Sequence, residues 1–143
     1  MGVRGWSPSP QHEVDMGISS FRDLRVWQVG MDLVDKVYRV TQEFPKHESF
    51  GLTGQMRRAA ISIPSNIAEG HTRQHSKEYL QHLSMAQGSL AEMATQLEIA
   101  ARLGYVTREQ AGPVVEQVAS LGKQLHALRS ALAGKGTGEG ARS

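Results

Sequence analysis

From Tyr79 the sequence repeats an apolar residue at alternating four- and three-residue steps: Tyr79, Leu83, Ala86, Leu90, Met93, Leu97 and Ala100. Steps averaging 3.5 residues keep one stripe of a helix turned toward a neighbour, whereas a strand alternates at every second residue. This spacing predicts a long helix packed against other helices over its whole length. Ser76 is its expected N-cap and Gly104 its expected end. Ala91, Ala94 and Ala101 form a second, shallower stripe. Two faces are therefore expected to be buried, one inside the protomer and one against another chain.

Three more segments carry helical signals, and none shows a convincing period-two strand. The first is expected from about Phe21 or Asp23 to Glu43, with Leu24, Trp27, Met31, Val34, Val37 or Tyr38 and Thr41 at three- and four-residue steps, ending at Pro45. The second runs from about Phe50 to Glu69 through Leu52, Met56, Ala59, Ile63 and Ile67, with Gly70 as its stop. Pro64 lies inside it and is expected to kink it between Ile61 and Ser65. Beyond Gly104, Thr107 with Glu109 and Gln110 reads as a capping box. The fourth helix then places Ala111, Val114, Val118, Leu121, Leu125, Leu128 and Leu132 on one seam.

Hydrophobic residues are 39% of the chain and aromatics only 6%, so the core is expected to be Leu, Ile, Val, Ala and Met, which suits helix on helix. At 143 residues one core is expected. The expected fold is all-α, an up-down-up-down antiparallel four-helix bundle over residues 21–133. Residues 1–20 and the Gly-rich end 134–143 are expected to be disordered tails.

The chain has no cysteine, which removes disulfides, thiolate ligands and a cysteine nucleophile, and fits a cytoplasmic protein. No stretch reaches the roughly 18 apolar residues of a membrane helix. Sixteen Lys and Arg against fourteen Asp and Glu leave a formal charge of +2. Contact with nucleic acid therefore requires cations clustered on one face or multiplied by assembly.

Gln55, Arg58, Ser62, Asn66 and Glu69 recur at helical steps as a polar stripe on the second helix, widened by Arg57. One reading is recognition, with Arg57 and Arg58 holding a phosphate or carboxylate while Asn66 and Glu69 order the site. The other is an interhelical or intersubunit polar network that sets register. Arg58 and Glu69 are too far apart to pair, so each is expected to find a partner elsewhere, another subunit included.

Arg73 and Lys77, with His71 and His75, form a basic segment entering the third helix. It is the best nucleic-acid candidate, against the reading of a solvated loop. His75, Glu78 and His82 share a helical face and raise a metal-dependent enzyme as an alternative. The paired inward carboxylates and Glu-x-x-His sets of di-iron bundles are missing, so no metal or other cofactor is expected. Gly51 to Gln55 lacks the lysine of a phosphate-binding loop, and no nucleophile motif is present.

FRDLRVWQ (21–28), FGLTGQMRRAAISIPSNIAEG (50–70) and EYLQHLSMAQGSLAEMATQLEIAARLGY (78–105) resemble, in order and spacing, the family of four helix bundle or 23S rRNA intervening sequence proteins. The resemblance covers nearly all of residues 21–132. It implies a four-helix bundle and a relationship to the accessory variability determinant proteins of diversity-generating retroelements, pentameric rings with basic surfaces. The expectation is a non-enzymatic homopentameric scaffold that binds RNA, DNA or a protein partner. A protein adaptor without nucleic-acid affinity is the alternative.

Overall fold

The computed structural model describes residues 20–142, with side chains described to residue 134. Four α-helices follow a short 3-10 turn at Phe21–Asp23: α1 (Arg25–Thr41), α2 (Leu52–His71), α3 (Ser76–Arg102) and α4 (Arg108–Arg142). A second 3-10 turn, Lys46–Glu48, joins α1 to α2. No strand occurs among the described residues. No helix among them is long and apolar enough to cross a membrane. The N-terminal extension expected over residues 1–20 lies, but for Ser20, outside the described residues.

Each helix packs on the next one in the chain, and α1 also packs on α4. Close pairs show the directions. Gly30 lies against Pro64, while Arg57, nearer the start of α2, reaches Tyr38, nearer the end of α1. Ser62 meets Ser89 and Asn66 meets His82. Leu90 lies beside Gly122, and Glu98 holds Arg108. Ascending numbers on one helix meet descending numbers on the next, so these neighbours run antiparallel.

The predicted seams of α2, α3 and α4 form the core. Met56, Ile63, Ile67, Leu83, Met93, Leu121 and Leu125 are fully buried, while Tyr79, Val118, Leu128 and Leu132 pack against them partly buried. On α1 the expected seam is displaced over its first turns, while Val37 and Thr41 are buried as expected. The core takes Val26, Val29, Leu33 and Val37, whereas Leu24, Trp27 and Val34 are half-buried and Met31 and Tyr38 are 40% and 38% exposed. Both stripes satisfy a 3.6-residue period, so periodicity alone cannot choose between them. Gly30 faces α2, where a Cβ would lie 3.5 Å from that of Pro64.

The helix ends follow local chemistry. Thr107 Oγ1 accepts from the Gln110 amide and Gln110 Oε1 accepts from the Thr107 amide, both at 3.0 Å, closing the capping box at the start of α4. Gly104, at φ 79°, ends α3. Its amide reaches Ala101 O and that of Tyr105 reaches Ala100 O, the paired bonds of a Schellman turn. Ser76 is not a cap: it is the first helical residue, and His75 precedes it in extended geometry. Gly70 is not a stop either. α2 runs on to His71, and Pro64 stands inside it without dividing it. The backbone of α4 continues through the Gly-rich end to Arg142, past the boundary expected at Ala133. Each glycine there costs about 1 kcal/mol of helix propensity.

Two links close one end of the bundle. Tyr105 donates to Glu48 Oε2 at 2.8 Å, and Glu48 Oε1 accepts from the Leu52 amide at 3.1 Å. The Leu52 amide and then the Tyr105 hydroxyl hold the Glu48 carboxyl below its ordinary range. Nearby, Glu98 accepts from Arg108 at 2.7 and 3.1 Å and from Arg102 at 2.9 Å.

Those bonds, Arg108 first, lower the Glu98 pKa from 4.5 to about 2. Because the folded value is depressed, the contribution is complete above pH 4.5 and disappears as pH falls toward 2. Glu98→Gln is expected to flatten this part of the acid-stability profile. Urea midpoints at stepped pH would check it, and an unchanged slope would sink it. The pair is exposed, so a small amplitude is expected.

Candidate functional site

The polar stripe of α2 divides among three environments. Toward α3, Asn66 Nδ2 donates to Ser62 O and Ser62 Oγ, both at 2.9 Å, and Ser62 Oγ lies 2.9 Å from Ser89 Oγ. Since a carbonyl only accepts, the Ser62 contact fixes which side of the Asn66 amide is nitrogen. Asn66 Oδ1 then faces His82 Nδ1 at 3.2 Å. His82 must therefore carry its proton on Nδ1 to donate. Ser62, Asn66, His82 and Ser89 form an interhelical network that ties α2 to α3 in one register.

Arg57 turns toward α1. Its Nε donates to Thr41 Oγ1 at 2.8 Å, its Nη2 donates to Tyr38 O at 3.3 Å, and the guanidinium carbon lies 4.4 Å from the centre of the Tyr38 ring. Thr41 Oγ1 itself donates back to Val37 O at 2.7 Å. Arg57 thus satisfies carbonyl and hydroxyl groups left at the C-terminus of α1. Arg57→Ala is expected to lose about 1 to 2 kcal/mol of stability. Arg58→Ala should stay within about 0.5 kcal/mol of wild type, since Arg58 is exposed. Urea denaturation of both variants would check this, and equal losses would overturn the distinction.

Gln55, Arg58 and Glu69 face solvent. Glu69 does not wait for another chain, because it pairs with Arg73 one turn on, at 3.0 Å. That exposed pair contributes little to stability but partly engages one of the two cations of the α2–α3 turn. Lys77 and His75 are exposed, while His71 stacks edge-on to Tyr79 with ring centres 5.8 Å apart. Arg58 and His71, the last residue of α2, are separated by thirteen positions, about 20 Å along a helix at 1.5 Å per residue, and Arg73 lies beyond that end. The four candidate cations therefore do not converge within one protomer.

Of the face shared by His75, Glu78 and His82, His82 is engaged by Asn66. Among the described residues no three His, Cys, Asp or Glu side chains are placed to hold a metal ion.

Two features carry no direct mark in the sequence. Gln117 bridges α4 to α1, donating to Val29 O at 3.0 Å and accepting from Lys36. An apolar groove of about 280 Å³ runs between α1 and α2, walled by Trp27, Met31 and Val34 on one side and Ile61, Pro64 and Ala68 on the other. The second apolar stripe of α1 is its one indirect signal.

Compared with known proteins, residues 22–127 match the family model described as 23S rRNA-intervening sequence protein. No curated protein matches the chain.

Proposed function

The chain belongs to the 23S rRNA-intervening sequence protein family, and from that footing we propose that it is a non-enzymatic scaffold that assembles with itself into a homopentameric ring and binds nucleic acid. One observation carries the reading. Four helices already bury a continuous core, yet Met31, Tyr38 and Ile61 stay 38–43% exposed on the α1/α2 face. A protomer that has its core and still shows an apolar stripe is built to be covered.

Assembly also supplies the missing charge density. One protomer offers Arg58 at one end of α2 and Arg73 with Lys77 at the other, against a net charge of +2. Cyclic repetition brings each set round a rim, where several cations can face one phosphate backbone. The work is placed in the cytoplasm, a reading that rests on the cysteine-free sequence. The engagement of Arg57 by α1 and of Arg73 by Glu69 favours a second reading, an adaptor that binds protein alone.

The test is native mass by light scattering, with and without RNA or DNA, at low and high salt. A multimer near five protomers that gains nucleic acid at low salt and releases it at high salt supports the scaffold. A multimer indifferent to nucleic acid supports the adaptor, and a monomer sinks both forms of assembly. Arg73→Ala with Lys77→Ala should reduce the salt slope by about one for each phosphate that is no longer neutralised.

A further inference from the structure

Phe50 is 97% exposed, the most exposed of the large hydrophobic residues among those described. Its backbone is nevertheless held on both sides. Ser49 Oγ donates to Lys46 O at 2.7 Å, the Gly51 amide donates to Glu48 O at 3.0 Å, and the Leu52 amide donates to Glu48 Oε1. A Cβ on Gly51 would lie 2.6 Å from Glu48 Oε1, so the turn is closed tightly at the residue after Phe50. An aromatic ring presented on a pinned turn loses little freedom on binding.

The groove between α1 and α2 is the matching feature, apolar on both walls but for Ser65. The chain's own Phe50 cannot fill it. Phe50 precedes α2, and Ile61 in the groove wall lies eleven positions on, about 16 Å along the helix. We propose that Phe50 of one copy seats in the α1/α2 groove of a second copy, so that the chain associates with itself through an aromatic knob and an apolar slot.

Charge agrees with a second copy as the occupant. The knob is flanked by exposed cations, Lys46 and Arg58, and the Arg58 guanidinium lies back over Gly54, 3.1 Å from where a Cβ would stand. The Glu48 carboxylate beside the knob is turned to Leu52 and Tyr105. At the slot Asp35, one turn beyond Met31, is an exposed acid, while Glu69, one turn beyond Ser65, already holds Arg73. A seated aromatic side chain buries roughly 150–250 Å², against roughly 1,200–2,000 Å² for a stable interface. Phe50 is thus the anchor, and exposed Met31, Tyr38 and Ile61 extend the same face around it. Knob and slot are different patches, so the contact is heterologous and repeats from copy to copy until a ring closes.

This contact rests on the self-assembly proposed above, and sedimentation velocity on the full chain separates the two. Wild type is expected to be a multimer. Phe50→Asp and Ile61→Glu, both at exposed positions, should keep the helical content of wild type yet sediment as monomers, with association weakened on the order of 30-fold or more. Met31→Glu provides a second slot variant if Ile61→Glu fails to fold. Mixed one to one, the knobless and slotless chains each keep the half that the other lacks and should form a heterodimer. Leu103→Asp, at an exposed apolar site just past the end of α3, should leave the multimer intact. A multimer unchanged by Phe50→Asp would overturn this contact while self-assembly stands, as would variants that fail to pair when mixed. A monomeric wild type would overturn both.

Discussion

Gly70→Ala is expected to destabilise the protein by about 2 kcal/mol, while the same substitution at Gly88 should stabilise it by about 0.5 to 1 kcal/mol. Both glycines lie inside helices and both would gain propensity from a methyl group. They differ in what the methyl group meets. At Gly70 it would stand 2.6 Å from His82 Cβ and 3.1 Å from Tyr79 Cδ1, and a Cβ moves only with its backbone. α2 and α3 must therefore separate where they approach closely, which also strains the Asn66–His82 contact. At Gly88 nothing lies within 4 Å. Urea midpoints at one fixed protein concentration would check the pair, with unchanged m-values showing that stability alone has moved. Shifts of the same sign would contradict the close approach at Gly70.

Leu33→Ala should cost more, about 2 to 5 kcal/mol. Leu33 is wholly buried on the stripe of α1 that the core takes. Removing its branched end forfeits the transfer energy and leaves a void that the surrounding helices fill only in part. Met31→Ala, on the neighbouring stripe at 40% exposure, should lose well under half as much in the isolated protomer, at about 1 kcal/mol or less. Comparable losses from the two variants would mean that the stripes were assigned the wrong way round. Met31 should instead show its effect in association, because it walls the groove.

The candidate site was legible as a set of residue types and illegible as a site. Arg57 and Arg58 are adjacent and chemically alike, yet one reaches Thr41 and Tyr38 while the other stays in solvent. Adjacent residues on a helix differ by about 100° in direction, so a neighbouring helix on one side decides between them. Ser62 and Asn66 share a helical step, which sequence reveals, but Ser89 and His82 complete their network from another helix. Glu69 pairs with Arg73 at an i, i+4 spacing that is visible in the sequence itself.

By itself the sequence determined the helical class, the seams of α2, α3 and α4, the capping box at Thr107 and the end of α3 at Gly104. Each of these is set by contacts within a turn or two of chain, where spacing and residue type suffice. Tertiary structure alone decided which of two stripes on α1 enters the core, that Gly70 serves close helix approach rather than termination, which arginine is engaged, and where an apolar groove is left uncovered. Those outcomes depend on what a second helix presents across the gap, and a helix of period 3.6 offers more than one face that would satisfy its own sequence.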